Sequence, residues 1–223
     1  MNELDYRITL RAWLIDRLER HPKALRIPSG RLDIFIVRDF LDWRDCNDLI
    51  ALIDADREPS KLLAPIEDPE FRTSESSNLD PYDEAVIRVE GKMTDLMGID
   101  PVQGETIQGQ RYAIGQQFKP HFDFFHEGEP YWEDMHKSGG QRTWTAMVFL
   151  NDVEGGGQTF FEQAAVKVTP RRGNLLTWNN MNESGQPNSY AIHQGMPVLA
   201  GTKYIITKWY RERPWTFTDT AAY

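Results

Sequence analysis

The stretch that decides the fold is RTWTAMVFLNDVEGGGQTFF, residues 142–161. A run rich in β-branched and aromatic residues, 143–150, precedes a turn rich in Asn, Asp and Gly, and a second apolar run follows at 158–161. Short runs of this kind, separated by turn residues, are typical of antiparallel strands in a sandwich or barrel. Short apolar runs separated by turn residues also occur on both sides of this stretch, from Glu105 onward. They predict further strands at 107–114, 166–168, 174–178 and 203–211.

The part of the chain before Glu105 has a helical pattern instead. The apolar residues that recur at helical spacing are Leu10, Trp13, Leu14 and Leu18 in a first segment, Cys46, Leu49, Ile50 and Ile53 in a second, and Val86, Val89, Met93 and Leu96 in a third. Asp42 is suited to cap the second helix, and Asp80 the third, with Pro81 at its first helical position. Gly98 ends the third helix, and a short strand at 33–37 precedes the second.

These patterns predict a mainly β protein with flanking helices, of the α+β class. The strand spacing favours a double-stranded β-helix, or jelly roll, supported by the N-terminal helices. We expect one domain over residues 1–223, with helical support in 1–104 and the jelly-roll core in 105–213. The polar stretches 125–141 and 179–189 are interpreted as loops that could cover a site.

Composition narrows the classes of function. The formal net charge of -9 argues against binding to nucleic acid, because phosphate neutralisation needs clustered Lys and Arg. No run approaches the roughly 18 apolar residues of a membrane span, and residues 1–23 have no apolar signal core, so a cytoplasmic location is expected. Cys46 is the single cysteine, which excludes an internal disulfide and a Cys-rich zinc site. Any metal ligands must therefore be His and carboxylate.

One pair of residues has metal-ligand spacing. In PHFDFF, residues 120–125, His121 and Asp123 stand two apart, and such residues project to the same side of an extended chain. Alone this pair is weak evidence, because a chain with 34 carboxylates and five histidines contains such pairs by chance. His193 is the candidate third ligand, just before the last predicted strand. Two histidines and one carboxylate suit non-heme Fe(II) oxygenases, whereas His126 and His136 are interpreted as surface-loop residues.

Three stretches together resemble the catalytic region of collagen-type prolyl 4-hydroxylases. They are QRYAIGQQFKPHFDFF, GGQRTWTAMVFLNDVEGGGQTFF and HQGMPVLAGTKYIITKWYR, in the family's order and spacing. The resemblance extends back through FRTSESSNL and covers roughly residues 34–211. It implies an Fe(II)- and 2-oxoglutarate-dependent dioxygenase that uses O2, with ascorbate as the expected reductant. The implied product is a prolyl residue hydroxylated at the 4-position in a peptide or protein, with succinate and CO2 released.

The resemblance also assigns roles to residues. It implies that His121, Asp123 and His193 hold the iron, and that Lys203 binds the far carboxylate of 2-oxoglutarate. Tyr112 and Thr159 correspond to residues that add hydrogen bonds to that carboxylate. This agrees with physical expectation, because a carboxylate that enters an apolar barrel needs a charged partner and hydroxyl donors.

Two further residues are implied to contact the substrate peptide. Arg142 and Trp209 match these positions, and strand alternation places Trp209 on the same face as Lys203, Ile205 and Thr207. There are structural alternatives to these two roles. Trp209 could be a core aromatic residue, and Arg142 a solvated charge at a strand edge.

The chain departs from the family pattern at three positions, and other functions stay open. Gln158 replaces a usual Glu, Glu162 a usual Pro, and Phe149 a frequent Tyr, and none of the three is a metal ligand. One alternative is hydroxylation of a free amino acid or another side chain. Another is a metal-binding jelly roll without catalytic activity. The expected partner is a proline-containing peptide or protein, without nucleic acid or membrane, and a homodimer is also considered.

Overall fold

The structure, a computed structural model, describes residues 2–64 and 66–215. Its helices are α1 (Glu3–Glu19), α2 (Trp43–Asp56), α3 (Glu84–Met97) and α4 (Trp132–Lys137). Its strands are β1 (Ala24–Arg26), β2 (Ile34–Val37), β3 (Glu58–Pro59), β4 (Glu75–Asn78), β5 (Gln108–Tyr112), β6 (Phe118–His121), β7 (Arg142–Phe149), β8 (Gly155–Gly156), β9 (Thr159–Phe161), β10 (Val166–Val168), β11 (Leu175–Asn179), β12 (His193–Gly195), β13 (Val198–Ala200) and β14 (Lys203–Arg211).

The strands form two main antiparallel sheets. The larger has eight strands in the order β1-β2-β11-β7-β14-β5-β4-β3, and the smaller has four in the order β10-β9-β12-β6. The strands β13 and β8 form a separate pair. This mainly β architecture with flanking helices confirms the predicted class and the two-sheet jelly-roll arrangement.

The larger sheet has a hydrophobic core on each face. On one face, side chains of α1, α2 and α3 pack with residues of the central strands, for example Val148 and Ile206. On the other face, Phe149 and Ile205 pack with Phe161 and Val168 of the smaller sheet. The central strands β7 and β14 are therefore buried on both faces, which explains why adjacent positions such as Val148 and Phe149, or Ile205 and Ile206, are both apolar.

The three predicted helices form, but the start of α3 and the apolar face of α1 differ from the prediction. Asp42 caps α2 as predicted, by accepting from the backbone N–H groups of Arg44 and Asp45. Asp80, however, does not cap α3: it closes a turn by accepting from the N–H of Tyr82 at 2.9 Å, and Asp83 caps the helix instead. Gly98 ends α3 with a φ of 64°, as expected for a left-handed C-terminal position.

The predicted apolar face of α1 is wrong at one residue. Trp13 is 43% exposed, and the guanidinium of Arg17 stacks on its ring at 5.5 Å. The buried face consists of Arg7, Leu10, Leu14 and Leu18. Arg7 can be buried because Glu212 accepts from its Nε at 2.6 Å, a pairing across 205 residues that no local pattern indicates.

Most predicted strands are found within one or two residues of the expected bounds, but short ones were missed. The strands β1, β3 and β4 precede Glu105, so residues 1–104 contribute strands to the larger sheet as well as helices. The segment β4 reads ESSN, which has little intrinsic preference for a strand and forms one because it pairs with β5. The expected loop 125–141 contains the short helix α4. Within the described ranges, no helix is long and apolar enough to cross a membrane.

Candidate metal centre

Two neighbouring strands of the smaller sheet bring the predicted ligands together. His193, the first residue of β12, pairs directly with His121, the last residue of β6. Asp123 follows two residues later, with one carboxylate oxygen 3.9 Å from Nε2 of His121 and the other 3.8 Å from Nε2 of His193. One ligand atom from each of the three residues lies within 4.8 Å of the others. The structure therefore places two imidazoles and one carboxylate as a compact donor set.

Backbone hydrogen bonds orient the two imidazole rings. Nδ1 of His121 lies 2.8 Å from the carbonyl oxygen of Lys119, and Nδ1 of His193 lies 3.0 Å from that of Ala191. Since each carbonyl can only accept, each Nδ1 carries the proton and each Nε2 keeps a free lone pair. The ring of His121 also stacks on Phe118 with centroids 3.5 Å apart. Both rings are thus fixed with Nε2 available to a metal ion.

The electrostatics of the centre favour the protonation states that a metal needs. Burial, together with the neighbouring His193, lowers the pKa of His121 to about 3. Burial alone would raise the pKa of Asp123, but His193, His121 and Arg142 outweigh it and hold that pKa below its usual value. A neutral imidazole beside an ionised carboxylate is the form in which these side chains bind a divalent cation.

A buried hydroxyl holds the carboxylate in place, and the sequence did not indicate this role. Oγ1 of Thr145 donates to Oδ2 of Asp123 at 2.8 Å and accepts from Nδ2 of Asn180 at 3.0 Å. Thr145 and Asn180 are both fully buried. The sequence shows Thr145 only as an inward position of a strand, and the partnership arises because three separate segments meet here.

A narrow cavity between the two sheets joins the centre to Lys203. It is lined by His121, Asp123 and His193 together with Tyr112, Thr159, Lys203 and Trp209. Lys203 pairs with Tyr112 across β14 and β5, and its Nζ lies 5.1 Å from the centre of the Tyr112 ring. The alternation predicted for the last strand is confirmed, because Lys203, Ile205, Thr207 and Trp209 all line this cavity.

Two polar groups in the cavity are suited to an anionic ligand. Lys203 is 1% exposed, and burial lowers its pKa to about 7, with no neighbouring charge in the described part of the chain to offset the effect. Oγ1 of Thr159 is buried and has no hydrogen-bond partner among residues 2–64 and 66–215. The Tyr112 hydroxyl donates to Oε1 of Gln110 at 2.9 Å. A buried ammonium and an unpaired hydroxyl fit a carboxylate, because burial of either without a partner is costly.

Arg142 and Trp209 border a wider groove on the other side of the metal centre. Arg142 forms a forked pair with Glu105, at 2.6 and 2.7 Å, and its guanidinium lies 4.1 Å from the centre of the Trp209 ring. The alternative of a solvated charge at Arg142 is therefore wrong. Nε1 of Trp209 is buried and has no partner in the described ranges. Both residues line the groove, as do His121 and Asp123.

The groove also depends on residues that the sequence did not single out. Glu105 contacts Arg211 as well as Arg142, with 2.5 Å between Oε1 and the Arg211 Nε. Arg72 stacks over Phe118 and donates to the side chain of Gln108 at 2.9 Å. Of the two histidines assigned to surface loops, His126 is exposed and lines the groove, whereas His136 lies in α4 and its Nε2 is 3.2 Å from a Glu3 carboxylate oxygen.

Comparison with known proteins agrees with this geometry. Residues 107–211 match the family model of the 2OG-Fe(II) oxygenase superfamily. The chain is 30% identical over 206 residues to prolyl 4-hydroxylase subunit alpha-1 of Rattus norvegicus, covering 87% of this chain and 38% of that protein. It is 29% identical over 210 residues to probable prolyl 4-hydroxylase 8 of Arabidopsis thaliana, covering 83% and 71% respectively.

Solved structures share the fold. A viral collagen prolyl hydroxylase from Paramecium Bursaria Chlorella virus-1, solved as a 2OG complex, matches with a TM-score of 0.62 at 23% identity, over 80% of this chain and 94% of that one. A prolyl hydroxylase from Trichoplax adhaerens, solved with a hypoxia inducible factor peptide, matches with a TM-score of 0.62 at 16% identity, over 94% and 92%. At these identities the likeness concerns the fold alone.

Residues 107–211 are thus similar to the 2OG-Fe(II) oxygenase superfamily, whose description implies Fe(II), 2-oxoglutarate and O2. Within it, the similar curated proteins are prolyl 4-hydroxylases. The chain spans 38% of the length of the rat alpha subunit and 28% of the human one.

Proposed function

We propose that this protein is a dioxygenase that uses Fe(II), 2-oxoglutarate and O2 to hydroxylate a prolyl residue at the 4-position in a peptide or protein. The observation that carries the proposal is the pairing of two features in one cavity. The His121, Asp123 and His193 donor set occupies one end, and the buried ammonium of Lys203 lies in the same cavity without a carboxylate partner in the described ranges.

His121 and His193 would hold the iron through Nε2, and Asp123 through a carboxylate oxygen. Two histidines and one carboxylate on one side of the metal leave positions open for other ligands, which suits non-heme Fe(II) oxygenases. Lys203 would pair with the far carboxylate of 2-oxoglutarate, with a hydrogen bond from Thr159 and a second from Tyr112 once its hydroxyl turns from Gln110. The free hydroxyl of Thr159 supports this assignment, because it lines the same cavity.

Bound iron and 2-oxoglutarate supply the oxygen activation, which converts 2-oxoglutarate to succinate and CO2. The chain itself binds, orients and excludes water. Phe161 and Trp178 pack on the ring of His193, with centroids 5.2 and 4.8 Å away, and Phe118 covers His121. These contacts keep the ligand rings fixed and limit solvent access, which is the main contribution that a protein makes to cofactor chemistry.

The groove beside Trp209 supports a peptide substrate. It has a volume of about 340 Å³ and reaches the ligands His121 and Asp123 directly. Arg142 and Trp209 would contact the peptide, Trp209 through its free indole N–H and both through the flat surface that their stacked groups present. The names of the relatives support proline as the target residue.

An assay of two products tests the proposal. The protein would be incubated with Fe(II), ascorbate, O2 and 2-oxoglutarate and a panel of proline-containing peptides, and the products read by mass spectrometry with fragmentation. We expect one added oxygen on a prolyl residue for each succinate formed, and none without 2-oxoglutarate. Succinate together with an oxidised free amino acid, or oxygen on another side chain, would instead support the alternative substrates.

A metal-binding jelly roll without catalysis predicts neither product. The buried Lys203 argues against it, because such a protein gains nothing from an uncompensated ammonium in its core. The use of ascorbate as reductant, a cytoplasmic location and a homodimer remain predictions from the sequence.

A further inference from the structure

The walls of the substrate groove are largely aromatic and aliphatic. Besides the metal ligands, they include Phe71, Phe118, Phe122, Phe124, Phe125, Tyr131, Trp209, Leu62, Leu63, Ile66 and Met135. Such walls favour an uncharged segment at the centre, because a charge moved from water onto an apolar surface loses hydration.

The three arginines that line the groove have partners within the protein, whereas Lys61, which also lines it, is exposed. Arg142 and Arg211 share the carboxylate of Glu105. Arg72 donates to the carbonyl oxygen of Lys61 at 2.9 Å and to the side chain of Gln108. The arginines of the inner groove are therefore engaged by groups of the protein itself.

Four acidic residues stand within two positions, along the sequence, of residues that form the groove walls. Glu67 directly follows the wall residue Ile66, Glu70 directly precedes Phe71, and Asp134 directly precedes Met135. Glu129 stands two residues before Tyr131, whose pKa is raised by burial and further by the Glu129 charge. We call Glu67, Glu70, Glu129 and Asp134 the acidic rim.

All four rim residues are exposed, and no ion pair to them occurs within residues 2–64 and 66–215. Their acidic neighbours differ in this respect. Asp68 pairs with Lys119 at 2.6 Å, Glu133 pairs with Lys137 at 2.7 Å, and Glu127 lies 4.0 Å from Arg7. The rim thus has four exposed carboxylates that form no ion pair within the described ranges, close in sequence to the groove walls.

We infer that the groove takes a polypeptide segment that is uncharged around the reacting residue and carries Lys or Arg on both sides of it. This inference rests on the proposed function and specifies its substrate class. Charge complementarity at exposed positions contributes modestly for each pair and acts mainly on encounter and orientation. Four rim charges are therefore enough for an observable preference.

Three peptides of equal length test the inference. Each has one central proline with uncharged neighbours, and the flanking residues are Lys in the first, Gln in the second and Glu in the third. Binding to the full chain is measured by fluorescence anisotropy under nitrogen, with Fe(II) and 2-oxoglutarate present, and hydroxylation is measured separately in air. We expect the Lys-flanked peptide to have about tenfold lower Kd and higher kcat/KM than the Gln-flanked one, and the Glu-flanked peptide to bind least.

A matched pair of variants assigns the preference to the rim. The rim variant combines Glu67→Gln, Glu70→Gln, Glu129→Gln and Asp134→Asn. The control variant combines Glu84→Gln, Asp95→Asn, Glu162→Gln and Glu183→Gln, which removes the same number of exposed carboxylates at positions that do not adjoin the groove. We expect the preference for Lys flanks to disappear in the rim variant and to persist in the control.

The outcomes separate this inference from the proposed function. Equal binding of the three peptides, or a preference that survives in the rim variant, overturns the inference, while hydroxylation of the central proline would leave the proposed function intact. Rim-dependent binding of the Lys-flanked peptide without any added oxygen would support the groove assignment and contradict prolyl hydroxylation.

Discussion

The hydroxyl of Thr145 donates to Oδ2 of Asp123 at 2.8 Å, and Nδ2 of Asn180 donates to the same hydroxyl at 3.0 Å. All three residues are buried, so solvent cannot replace either hydrogen bond. Thr145 therefore fixes the orientation of the Asp123 carboxylate through one of its oxygens. Hydrogen bonds to a ligating carboxylate orient it and adjust its affinity for the metal.

Replacement of Thr145 should weaken metal binding more than it weakens the fold. We expect Thr145→Val to raise the Kd for Co(II) about tenfold or more, measured by titration of the cobalt absorption bands. Thr143→Val is the matched control, because Thr143 is buried on the same strand and donates to the carbonyl oxygen of Tyr210. Both variants should lose about 1–3 kcal/mol of stability. An unchanged cobalt Kd in Thr145→Val would show that the hydroxyl has no role at the metal.

Removal of a metal ligand should lower metal affinity more than removal of the Thr145 hydroxyl does. We expect His121→Ala and Asp123→Ala each to abolish turnover and to lower metal affinity at least 100-fold, since each removes one of three donors. The measurement is metal content after gel filtration, alongside succinate formation. His21→Ala is the control, because His21 follows α1 and its ring lies outside the metal centre, accepting from the N–H of Lys23. Iron-dependent turnover in His121→Ala would contradict the assignment of His121 as a metal ligand.

Lys203 should affect the cosubstrate and stability in opposite directions. We expect Lys203→Met to raise the concentration of 2-oxoglutarate required about 100-fold, because it removes the buried charge that would pair with the carboxylate. In the absence of 2-oxoglutarate the same variant should unfold at a higher urea concentration than the wild type at pH 7. Unchanged cosubstrate affinity would exclude the proposed role of Lys203.

The pH dependence of 2-oxoglutarate binding follows from the same residue. Burial lowers the pKa of Lys203 to about 7 in the free protein, and a bound carboxylate would raise it. Above pH 7, binding must therefore take up a proton, and Kd should rise about tenfold for each pH unit until the pKa of the complex is reached. Calorimetry in two buffers of different ionisation enthalpy measures this uptake. A Kd that stays constant from pH 7 to 9 would contradict it.

Burial of Lys203 also makes the free energy of unfolding depend on pH. The pKa of Lys203 is lower in the folded than in the unfolded chain, so its destabilising contribution is complete below pH 7 and fades as pH rises toward about 10. The stability of the wild type relative to Lys203→Met should therefore increase by about 1.4 kcal/mol for each pH unit above 7. Urea unfolding at pH 6, 7, 8 and 9 would detect this trend, and parallel curves for the two proteins would rule it out.

Glu105 should be important for stability because the buried Arg211 and the partly buried Arg142 share it. Glu105→Gln keeps the shape of the side chain but leaves Arg142 and Arg211 without their carboxylate. We expect a loss of about 3 kcal/mol or more in urea unfolding. Glu84→Gln, an exposed change, should stay within about 0.5 kcal/mol. Equal unfolding midpoints for Glu105→Gln and the wild type would mean that the arginines find other partners.

Local patterns predicted the parts of this protein that depend on local physics. The stripes of α2 and α3 and the alternation of Lys203 with Trp209 follow from helix and strand periodicity, and both were correct. The burial of Arg7 and the positions of Thr145 and Glu105 could not be predicted, because their partners lie 22 to 205 residues away. The strand β4 was missed for the same reason, since its pairing with β5 outweighs its polar sequence.

The three metal ligands depend both on a local spacing and on a long-range strand pairing. The spacing of His121 and Asp123 is visible in the sequence, but it is common by chance. His193 joins them because β12 pairs with β6, which puts it directly opposite His121. The resemblance to a known family supplied that long-range information in advance, and the geometry now supports it independently.

Labelling with isotopically heavy oxygen gas tests the central claim most directly. The protein, Fe(II), 2-oxoglutarate and a proline-containing peptide would be incubated under the labelled gas, and both products analysed by mass spectrometry. We predict one heavy oxygen atom in the new prolyl hydroxyl and one in succinate, in equal amounts and absent in His121→Ala. Heavy oxygen in neither product, with metal bound and 2-oxoglutarate intact, would contradict the assignment of this protein as a 2-oxoglutarate-dependent dioxygenase.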